Sequence, residues 1–308
     1  MTGPRVTVTG ATGLIGTRLV AALAERDAQV TVLSRSPERA ARRLGASVEV
    51  HGWQPASEAA PAAALSGRDA VVHLAGEPIA QRWSARVKRS LRESRVAGTR
   101  NLLAGLRAAE PRPPVLVSGS AVGYYGARGE EPLDEEAPAG GDFLAEICAA
   151  WEREAERAAS ELELRVSVIR TGVVLDGDGG ALAKMLPPFK LGVGGPVAGG
   201  GQFVSWVHAD DVVGMILTAV EDERWSGPFN ATAPAPVSNR ELSRALGRVL
   251  RRPALLPVPG FALRGLYGEM AEIVTSGQRA VPARALVLGY SFAHPELEEA
   301  LRSALRLG

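Results

Sequence analysis

The sequence lacks the residues on which several classes of protein depend. It contains a single cysteine, Cys148, which excludes a disulfide within the chain and a zinc site made of cysteines. Its four histidines are scattered without the short spacings of zinc ligands, so no metal site is predicted. A formal net charge of +1 provides no strong field for nucleic acid or for an anionic membrane, so neither is expected as a partner.

Long hydrophobic runs are also missing. No apolar stretch approaches the roughly 18 residues that a membrane-spanning helix needs. The first residues pass directly into a strand pattern, without the charged leader and apolar segment of a secretion signal. Cys148 lies in an apolar helical pattern and is expected to be a buried thiol. Together these features favour a reducing, cytoplasmic environment.

Strand and helix patterns alternate through the first half of the chain. Short runs rich in β-branched residues predict strands at 5–10, 29–35, 69–76, 113–120 and 165–175. Helical spacing between them predicts helices at 14–26, 37–45, 84–109 and 143–161. Apolar strands that alternate with helices are typical of an α/β fold, here a Rossmann-type doubly wound parallel sheet covered on both faces.

The turn after the first strand carries the strongest motif. Gly10, Gly13 and Gly16 lie between a predicted strand and a predicted helix, in the sequence VTVTGATGLIG. The first glycine allows the sharp exit from the strand, the second lets backbone approach a pyrophosphate, and the third lets the helix pack against the sheet. The helix N-terminus would offer free N–H groups to the phosphates. This pattern predicts a dinucleotide site.

The end of the second strand indicates which dinucleotide binds. A site for NAD(H) would place an acidic residue there to bind the ribose 2′-hydroxyl. The chain has Ser34 and Arg35 instead, with Arg39 one helical turn later. A hydroxyl and a guanidinium suit a 2′-phosphate, so the predicted cofactor is NADP(H), with Arg35 as an ordinary surface residue the alternative.

The sequence changes character after residue 175. Residues 176–201 are rich in glycine and proline, and residues 202–236 return to strand and helix patterns. We therefore predict an NADP-binding Rossmann domain from 1–175 and 202–236. Residues 176–201 and 237–308 are expected to form a smaller lobe on the substrate side. Its end, from 253 onward, is expected to hold two or three helical segments.

Several segments resemble the short-chain dehydrogenase/reductase superfamily, in its extended, epimerase-like branch. They are TGATGLIG at 9–16, HLAG at 73–76, ESRVAGTRNLL at 93–103, VSGSAVGYYG at 117–126 and FVSWVHADDVV at 203–213. Longer segments, such as KMLPPFKLGVGGP and GPFNATAPAPVSN, resemble one atypical subfamily labelled nucleoside-diphosphate-sugar epimerase or epimerase-family oxidoreductase. That subfamily ends in a C-terminal domain of unassigned function, which residues 255–305 resemble.

The resemblance implies a cofactor site assembled from the ends of several strands. By position, the first turn would hold the pyrophosphate, the second and fourth strands the adenosine side, and the fifth and sixth strands the nicotinamide side. The implied cofactor-binding residues are Gly10, Thr12, Gly13, Leu14, Ile15, Gly16, Ser34, Arg35, Leu74, Ala75, Gly76, Glu77, Arg95, Ser118, Arg170, Thr171 and Val173.

The chain departs from the superfamily at the catalytic positions. There a serine cooperates with a tyrosine that transfers a hydroxyl proton and with a lysine four residues later. Ser120 matches the serine, whereas Phe143 and Ile147 align with the tyrosine and the lysine. Neither side chain can transfer a proton. Arg95 stands where the superfamily has an asparagine, and it is expected either to contact cofactor phosphate or ribose or to be a solvated helix residue.

Other side chains are candidates for the missing proton transfer. Tyr124 and Tyr125 follow Ser120 closely, with packing aromatics as the alternative. Glu77 borders the predicted cofactor site and would act as an acid if burial raised its pKa. The predicted catalytic residues are therefore Ser120, Tyr124 and Glu77. Lys184 is a further candidate.

The later FVSWVHADDVV segment is less suited to catalysis. His208 is more typical of a packing or hydrogen-bonding histidine there. Asp210 and Asp211 are expected to begin a helix, where their charges suit the helix dipole, rather than to bind a metal.

Two functions remain open at this point. The first is an NADP(H)-dependent oxidoreductase or epimerase with a displaced acid, acting on a small molecule such as a nucleotide sugar or a carbonyl compound. The second is a regulator or redox sensor that binds NADP(H) without turnover. The oligomeric state is also open. Helices 84–109 and 143–161 could pair in a homodimer, but their charged outer faces suit a monomer equally well.

Overall fold

A computed structural model describes residues 3–307 of the chain. Residues 1, 2 and 308 lie outside the described residues. The outer ends of the two predicted lobes, and part of the segment expected to lack a leader, fall on them. The strands in chain order are β1 (Arg5–Thr9), β2 (Gln29–Ser34), β3 (Glu49–Gly52), β4 (Ala70–His73), β5 (Val115–Ala121), β6 (Pro132–Leu133), β7 (Arg165–Thr171), β8 (Val173–Leu175), β9 (Phe203–Val204), β10 (Trp206–His208), β11 (Gly227–Ala231), β12 (Val237–Ser238) and β13 (Arg279–Ala280).

The helices follow the same numbering. They are α1 (Leu14–Ala24), α2 (Pro37–Leu44), α3 (Ala85–Ala108), α4 (Phe143–Leu162), α5 (Gly180–Lys190), α6 (Ala209–Glu221), α7 (Asn239–Leu250), α8 (Gly260–Tyr267), α9 (Ala271–Thr275), α10 (Ala283–Val287) and α11 (Leu297–Ala304). Short 3₁₀ turns occupy Ala62–Ala64, Val122–Tyr125 and Gly268–Met270. Within the part of the chain that the structure describes, no helix combines the length and the apolar character needed to cross a bilayer.

Seven strands form one parallel sheet in the order β3-β2-β1-β4-β5-β7-β11. The strand order reverses between β1 and β4, which is where open α/β sheets bind ligands, outside the carboxyl ends of the strands. The predicted Rossmann-type α/β fold is therefore confirmed. Strand β3 has no counterpart among the predicted strands, since its half-exposed residues make no apolar run.

Both faces of the sheet are buried, because successive strand residues enter different apolar clusters. In β5, Val115 and Val117 pack with α1 and α6 on one face, whereas Leu116 packs with α3 and α4 on the other. In β7, Ile169 belongs to the first cluster and Val168 to the second. This alternation explains why the strands read as nearly continuous apolar runs.

The run predicted as one strand at 165–175 is two strands in the structure. The chain breaks at Gly172, where an added Cβ would lie 2.2 Å from the Ser205 carbonyl oxygen. Strand β7 stays in the central sheet, whereas β8 turns away and pairs with β10. The close approach of the Ser205 backbone explains the glycine, and the hydrophobic pattern alone did not reveal the break.

A third apolar cluster joins α5, α7 and α11 around Trp206. Helix α7 begins with a capping box, in which Ser238 and Glu241 exchange hydrogen bonds with each other's backbone N–H. The C-terminal part holds α8 to α11, more helices than the two or three predicted, and α10 packs against β11 of the central sheet. The division of the chain into two lobes stays a prediction.

Candidate functional site

Two adjoining pockets lie at the carboxyl ends of the central strands. The Arg35 pocket, of about 320 Å³, is bordered by the ends of β1, β2 and β4. The Ser120 pocket, of about 250 Å³, is bordered by the N-terminus of α1, the end of β5 and one face of α4. Gly10, Gly13 and Leu74 line both pockets, so the two form one elongated cleft. Its length and its position suit a dinucleotide.

The glycine turn forms the floor between the two pockets. Gly10 has a φ of +70°, and an added Cβ would lie 2.7 Å from the Leu74 carbonyl carbon. At Gly16 an added Cβ would lie 2.3 Å from the Gly10 carbonyl oxygen, so only glycine lets α1 pack this closely. Gly13 is the N-cap residue of helix α1, which therefore has no side-chain cap, and the first turn of the helix has no acidic residue. Its first N–H groups are therefore available to an anion.

The residues that end β2 face the Arg35 pocket. Ser34, Arg35 and Arg39 line it, and no acidic residue ends the strand. The Arg35 guanidinium is largely exposed, and its Nη1 lies 3.6 Å from Glu77 Oε2. The buried Trp53 side chain contributes an apolar wall on the same side. A basic rim beside an apolar wall can hold a phosphate next to a planar base.

A buried histidine supports the backbone below this cleft. His73 Nδ1 lies 2.7 Å from Thr9 Oγ1, and its Nε2 lies 3.2 Å from Thr99 Oγ1. Thr99 Oγ1 donates its proton to the Arg95 carbonyl oxygen, so it accepts from His73 Nε2–H. The Ala75 N–H in turn donates to Thr9 Oγ1, which leaves the Thr9 proton for His73 Nδ1. Burial lowers the His73 pKa to about 4, so the ring stays neutral.

The α4 side of the Ser120 pocket is apolar. Leu144, Ile147 and Cys148 line it, whereas Phe143 packs against Trp83 with ring centroids 5.2 Å apart. Burial raises the pKa of the Cys148 thiol to about 12, so it is not a thiolate at neutral pH. The predicted lysine position, Ile147, therefore faces the cleft, and the predicted tyrosine position does not.

Arg95 is buried in the wall of the Ser120 pocket, so its interpretation as a solvated helix residue is wrong. Its guanidinium donates to the carbonyl oxygens of Leu91 and Glu77 and lies 5.2 Å from the centroid of the Trp151 ring. Burial lowers the Arg95 pKa from its ordinary value, which is high enough that the side chain keeps its charge. The Trp151 indole N–H finds no partner among the described residues.

Behind Ser120 lies a buried ion pair. Ser120 Oγ donates to Glu152 Oε1 at 2.5 Å. Arg170 donates to the same carboxylate from Nε at 3.0 Å and from Nη2 at 2.8 Å, and both side chains are about 95% buried. Burial by itself would lower the Arg170 pKa, but the hydrogen bonds and charge of Glu152 hold it above its ordinary value. Ser120 is thereby tied to a charged pair inside the protein.

The pair connects to the C-terminal part of the chain. Arg170 Nη1 donates to the Tyr125 hydroxyl at 2.9 Å, and this hydroxyl donates to Asn230 Oδ1 at 2.7 Å. Glu135 accepts backbone N–H groups from Asn230 and from Arg284 at the start of α10. Burial raises the pKa values of Tyr125, to about 12, and of Glu135. A continuous polar chain therefore runs from Ser120 to α10.

The structure brings most of the predicted site residues to the cleft. Those in the Arg35 pocket are Gly10, Thr12, Gly13, Ser34, Arg35, Leu74, Ala75, Gly76 and Glu77. Those in the Ser120 pocket are Gly10, Gly13, Leu14, Ile15, Gly16, Leu74, Arg95, Ser120 and Thr171.

Three predicted cofactor-binding side chains do not reach the cleft. The Arg170 guanidinium is held by Glu152 and by Tyr125 behind Ser120, on the same face of the sheet but away from the pocket walls. Ser118 is fully buried, with its hydroxyl on the Gly119 carbonyl oxygen. Val173 belongs to β8, which pairs with β10 away from the central sheet. Strand position alone placed these residues near the nicotinamide side.

Two of the predicted catalytic residues are also displaced from Ser120. Tyr124 is absent from the pocket walls, because its ring stacks under the Arg170 guanidinium at 3.6 Å. Glu77 lines the Arg35 pocket, beside Arg35 itself, and not the Ser120 pocket. Lys184 is exposed, and its Nζ donates to the Ala80 carbonyl oxygen. Of the predicted catalytic residues, only Ser120 lies in its pocket.

The histidines are less scattered than the sequence indicates. His208 caps α6 and lies against His294, with ring centroids 3.9 Å apart, and one ligand atom each of His208, Asp210 and His294 could face a common ion. However, His208 Nδ1 accepts the Asp210 N–H, and Arg18 contacts the Asp210 carboxylate. A cation there would compete with the Arg18 charge. Asp210 and Asp211 do begin α6, as expected.

Sequence reasoning missed Glu152 and Trp151. Both lie on the face of α4 that also carries Cys148, and a glutamate on this otherwise apolar helical face was the one available signal. Its partner, Arg170, comes from β7, and the pairing of Ser120 with Arg170 in adjacent strands brings the three side chains together.

Comparisons with known proteins agree with this architecture. The model of the NAD dependent epimerase/dehydratase family matches residues 6–231, and a domain of unknown function, DUF1731, matches residues 258–304. The chain is 44% identical over 303 residues to an SDR39U1 homologue, described as chloroplastic, of Arabidopsis thaliana, covering 98% of this chain and 86% of that protein. An epimerase family protein of Mycobacterium tuberculosis is 42% identical over 298 residues, covering 96% of each chain.

A solved structure agrees as well. The crystal structure of human epimerase family protein SDR39U1 (isoform 2) with NADPH superposes with a TM-score of 0.86 at 34% identity, covering 98% of this chain and 99% of that one. The resemblance drawn from the motifs is confirmed by the family model and by these relatives. The chain belongs to the NAD dependent epimerase/dehydratase family, with a DUF1731 domain near its C-terminus.

Proposed function

We propose that the protein is an NADP(H)-dependent oxidoreductase or epimerase whose substrate reacts in the Ser120 pocket. One observation carries the proposal: an uncapped helix N-terminus after a glycine turn opens into the same cleft as Ser34, Arg35 and Arg39. The first feature suits a pyrophosphate, and the second suits a 2′-phosphate. The human relative crystallised with NADPH supports the choice of cofactor.

The residues present fit the cofactor along the length of the cleft. The first turn of α1 would hold the pyrophosphate, since its N–H groups are free and any side chain at Gly10 or Gly16 would collide with backbone. Arg35 would bind the 2′-phosphate, and Trp53 would flank the adenine. Among the described residues, Arg95 is the one cationic side chain that lines the Ser120 pocket, and it would face the cofactor's negative charge there. When bound, the cofactor supplies or accepts a hydride.

Proton transfer must use groups other than the superfamily's tyrosine. Ser120 is the polar side chain of β5 that reaches the pocket, and its hydroxyl donates a hydrogen bond to Glu152 behind it. The α4 wall is apolar, so a bound substrate would displace water from it, which would strengthen electrostatic interactions there. We propose that Ser120 contacts the reacting group and that Glu152 acts through it as a positioning residue.

A non-catalytic regulator or redox sensor is the second candidate. It is favoured by the apolar wall of Leu144, Ile147 and Cys148, which offers no group that titrates near neutral pH. The polar chain from Ser120 to Arg284 would then carry the cofactor's effect to α10. In that case NADPH would bind without turnover of any substrate.

Calorimetry and nicotinamide absorbance test the proposal together. We expect NADPH to bind more tightly than NADH, and at least one member of a substrate library to turn over. A ketone or an aldehyde would turn over with sustained NADPH oxidation, and a nucleotide sugar would be converted to its epimer, detected by NMR, with no net change in nicotinamide absorbance. Ser120→Ala should abolish that turnover, whereas Ser118→Ala, on the same strand but outside the pocket, should retain it. Tight binding without any turnover would favour the regulator, and absence of binding of either coenzyme would refute both.

Location and assembly are also proposals. A cytoplasmic location is supported by the single, buried, reduced cysteine, although the Arabidopsis relative is described as chloroplastic. Helices α3 and α4 pack against each other, and their charges are partly satisfied within the chain by the pairs Arg100–Glu154 and Arg107–Glu161. Either a monomer or a homodimer is compatible with these surfaces, and sedimentation would distinguish them.

A further inference from the structure

We infer that Ser120 acts toward the cleft as a hydrogen-bond acceptor, so that the Ser120 pocket selects a group carrying a donor proton. The ligand would present a hydroxyl, an amine or an amide N–H to Ser120, and a bare carbonyl oxygen would be disfavoured. This inference rests on the proposed function, which brings the reacting groups into this pocket. It concerns the polarity of the site, which the family resemblance does not specify.

The proton between Ser120 and Glu152 can come only from the serine. The Glu152 carboxylate receives a two-pronged guanidinium contact from Arg170, at 3.0 and 2.8 Å, so each of its oxygens accepts a charged donor. An ionised carboxylate has acceptor oxygens only. The Ser120 Oγ to Glu152 Oε1 distance of 2.5 Å is that of a charge-assisted O–H···O⁻ hydrogen bond. The serine proton therefore points away from the cleft.

What remains of Ser120 for a ligand is its lone pairs. A serine hydroxyl has one donor proton and two acceptor sites. No donor among residues 3–307 reaches Ser120 Oγ, although the side chain borders the pocket. Turning the proton toward the cleft would leave Glu152 Oε1 with Arg170 Nε as its one remaining donor among the described residues, and would set the Ser120 lone pairs against the carboxylate oxygen at 2.5 Å. That exchange is unfavourable in a site where both partners are almost fully buried.

Two sources could supply the donor. One is the hydroxyl of an alcohol substrate, and the other is the carboxamide N–H of a nicotinamide ring. The chemistry that Ser120 recognises is the same in both cases, and the two are separated by binding measurements that need no turnover. Unpaired buried acceptors cost roughly 1–3 kcal/mol, so the wrong partner should bind about 5- to 150-fold more weakly.

The cofactor arm compares NADP⁺ with its 3-acetylpyridine analogue, which keeps the carbonyl but lacks the amide N–H. If the carboxamide is the donor, the wild-type protein should bind the analogue at least about 5-fold more weakly. Ser120→Ala should remove that difference, and Ser118→Ala should preserve it.

The substrate arm uses dead-end ternary complexes. The protein with NADPH is titrated with cyclohexanol, and the protein with NADP⁺ is titrated with cyclohexanone, and saturation-transfer NMR reports binding. If a substrate hydroxyl is the donor, the alcohol should bind and the ketone should bind at least about 5-fold more weakly. Ser120→Ala should again equalise the two.

A second variant tests the origin of the polarity. In Glu152→Gln the new amide N–H can donate to Ser120 Oγ, which frees the serine proton for the cleft. In whichever arm the wild-type protein preferred the ligand with a donor proton, Glu152→Gln should prefer the ligand without one. If that variant fails to fold, because Arg170 loses its counter-charge, Ser120→Ala still decides the question.

The outcomes separate the two levels of proposal. No binding of NADP⁺ or NADPH to the wild-type protein would overturn the proposed function and this inference together. Normal NADP⁺ and NADPH binding with no preference in either arm, or a preference for the ligands that lack a donor, would overturn the inference alone. A preference that survives in Ser120→Ala would also overturn it.

Discussion

Replacing Arg35 with alanine should change coenzyme preference without changing the fold. Arg35 directly follows β2, lines the Arg35 pocket and is largely exposed, so its removal leaves no cavity. Arg42 provides a matched control, because it is an exposed arginine of α2 that does not line the pocket. Each change removes one positive charge from an exposed side chain. Only the first should matter for a 2′-phosphate.

The magnitude follows from the surroundings of the guanidinium. A hydrogen bond to a charged group contributes roughly 1.5–3 kcal/mol, or about 10- to 150-fold in affinity. Arg35 lies in solvent and 3.6 Å from Glu77, which competes with the phosphate for its charge. We therefore expect Arg35→Ala to weaken NADPH binding by about 10- to 30-fold, at the low end of that range. Glu77→Gln should strengthen it by up to about 5-fold, since it removes a repulsion of roughly 1 kcal/mol.

Isothermal calorimetry with NADPH and NADH measures both effects. NADH lacks the 2′-phosphate, so its affinity should change by less than about twofold in Arg35→Ala. Arg42→Ala should leave the affinities for both coenzymes unchanged to the same extent, because Arg42 does not line the pocket and ~0.1 M salt screens charges more than ~10 Å apart. The loss in Arg35→Ala should shrink as the salt concentration rises.

Equal weakening of NADPH and NADH by Arg35→Ala would refute the reasoning, because it would mean that the side chain contacts a part common to both coenzymes. An effect in Arg42→Ala as large as that in Arg35→Ala would do the same. The arginine would then contribute only to the general field of α2.

Three further predictions concern stability and the glycine turn. Glu152→Ala should lower the free energy of unfolding, measured in urea, by roughly 3–5 kcal/mol, because it leaves the Arg170 charge buried and unpaired. The double variant Glu152→Leu with Arg170→Leu should recover most of that loss. A Glu152→Ala variant as stable as the wild type would contradict a stabilising ion pair. Burial lowers the His73 pKa to about 4, so the unfolded chain binds a proton near pH 6.5 that the folded protein does not. Its contribution to the free energy of unfolding should therefore fall as the pH drops from about 6.5 to about 4, by at most about 3 kcal/mol, and His73→Gln should show a shallower pH dependence in urea unfolding; an unchanged slope would exclude this origin. Gly16→Ala should destabilise the fold, since its Cβ would lie 2.3 Å from the Gly10 carbonyl oxygen. Gly13→Ala, whose Cβ would lie 3.2 Å from the same oxygen, should keep the melting temperature nearly unchanged and lose NADPH affinity. A lower melting temperature for Gly13→Ala than for Gly16→Ala would contradict this packing of the turn.

The fold was largely predictable because its signals are local. A β-branched run, a glycine turn and a helical pattern follow one another within the first 26 residues, and each depends on neighbours in the chain. The same reasoning failed at 165–175, where the apolar run is continuous but the Ser205 backbone forces the break at Gly172. It also missed β3, whose residues pair at the edge of the sheet without forming an apolar run.

The candidate site was predictable in part. The glycine turn and the residues at the end of β2 are contiguous in sequence, and they line the cleft as expected. Tyr124 and Arg170 were predicted by their distance from a motif, but that distance does not reveal that Glu152 and Tyr125 hold the Arg170 guanidinium behind Ser120, or that the Tyr124 ring stacks against it. Arg95 was predicted either to contact the cofactor or to be a solvated helix residue, and only the packing of α3 against Trp151 shows that it is buried.

The sequence by itself determined the alternating architecture, the glycine turn, the absence of an acidic residue at the end of β2 and the loss of the ionisable pair on α4, because each of these depends on residue type and short-range spacing. Only the tertiary structure decided what stands behind Ser120. Glu152 lies on a helix and Arg170 on a strand, 18 residues apart, and they meet because β7 pairs with β5 while α4 packs across both. Such a partnership depends on which faces of distant elements are buried together, and no local period in the sequence records it.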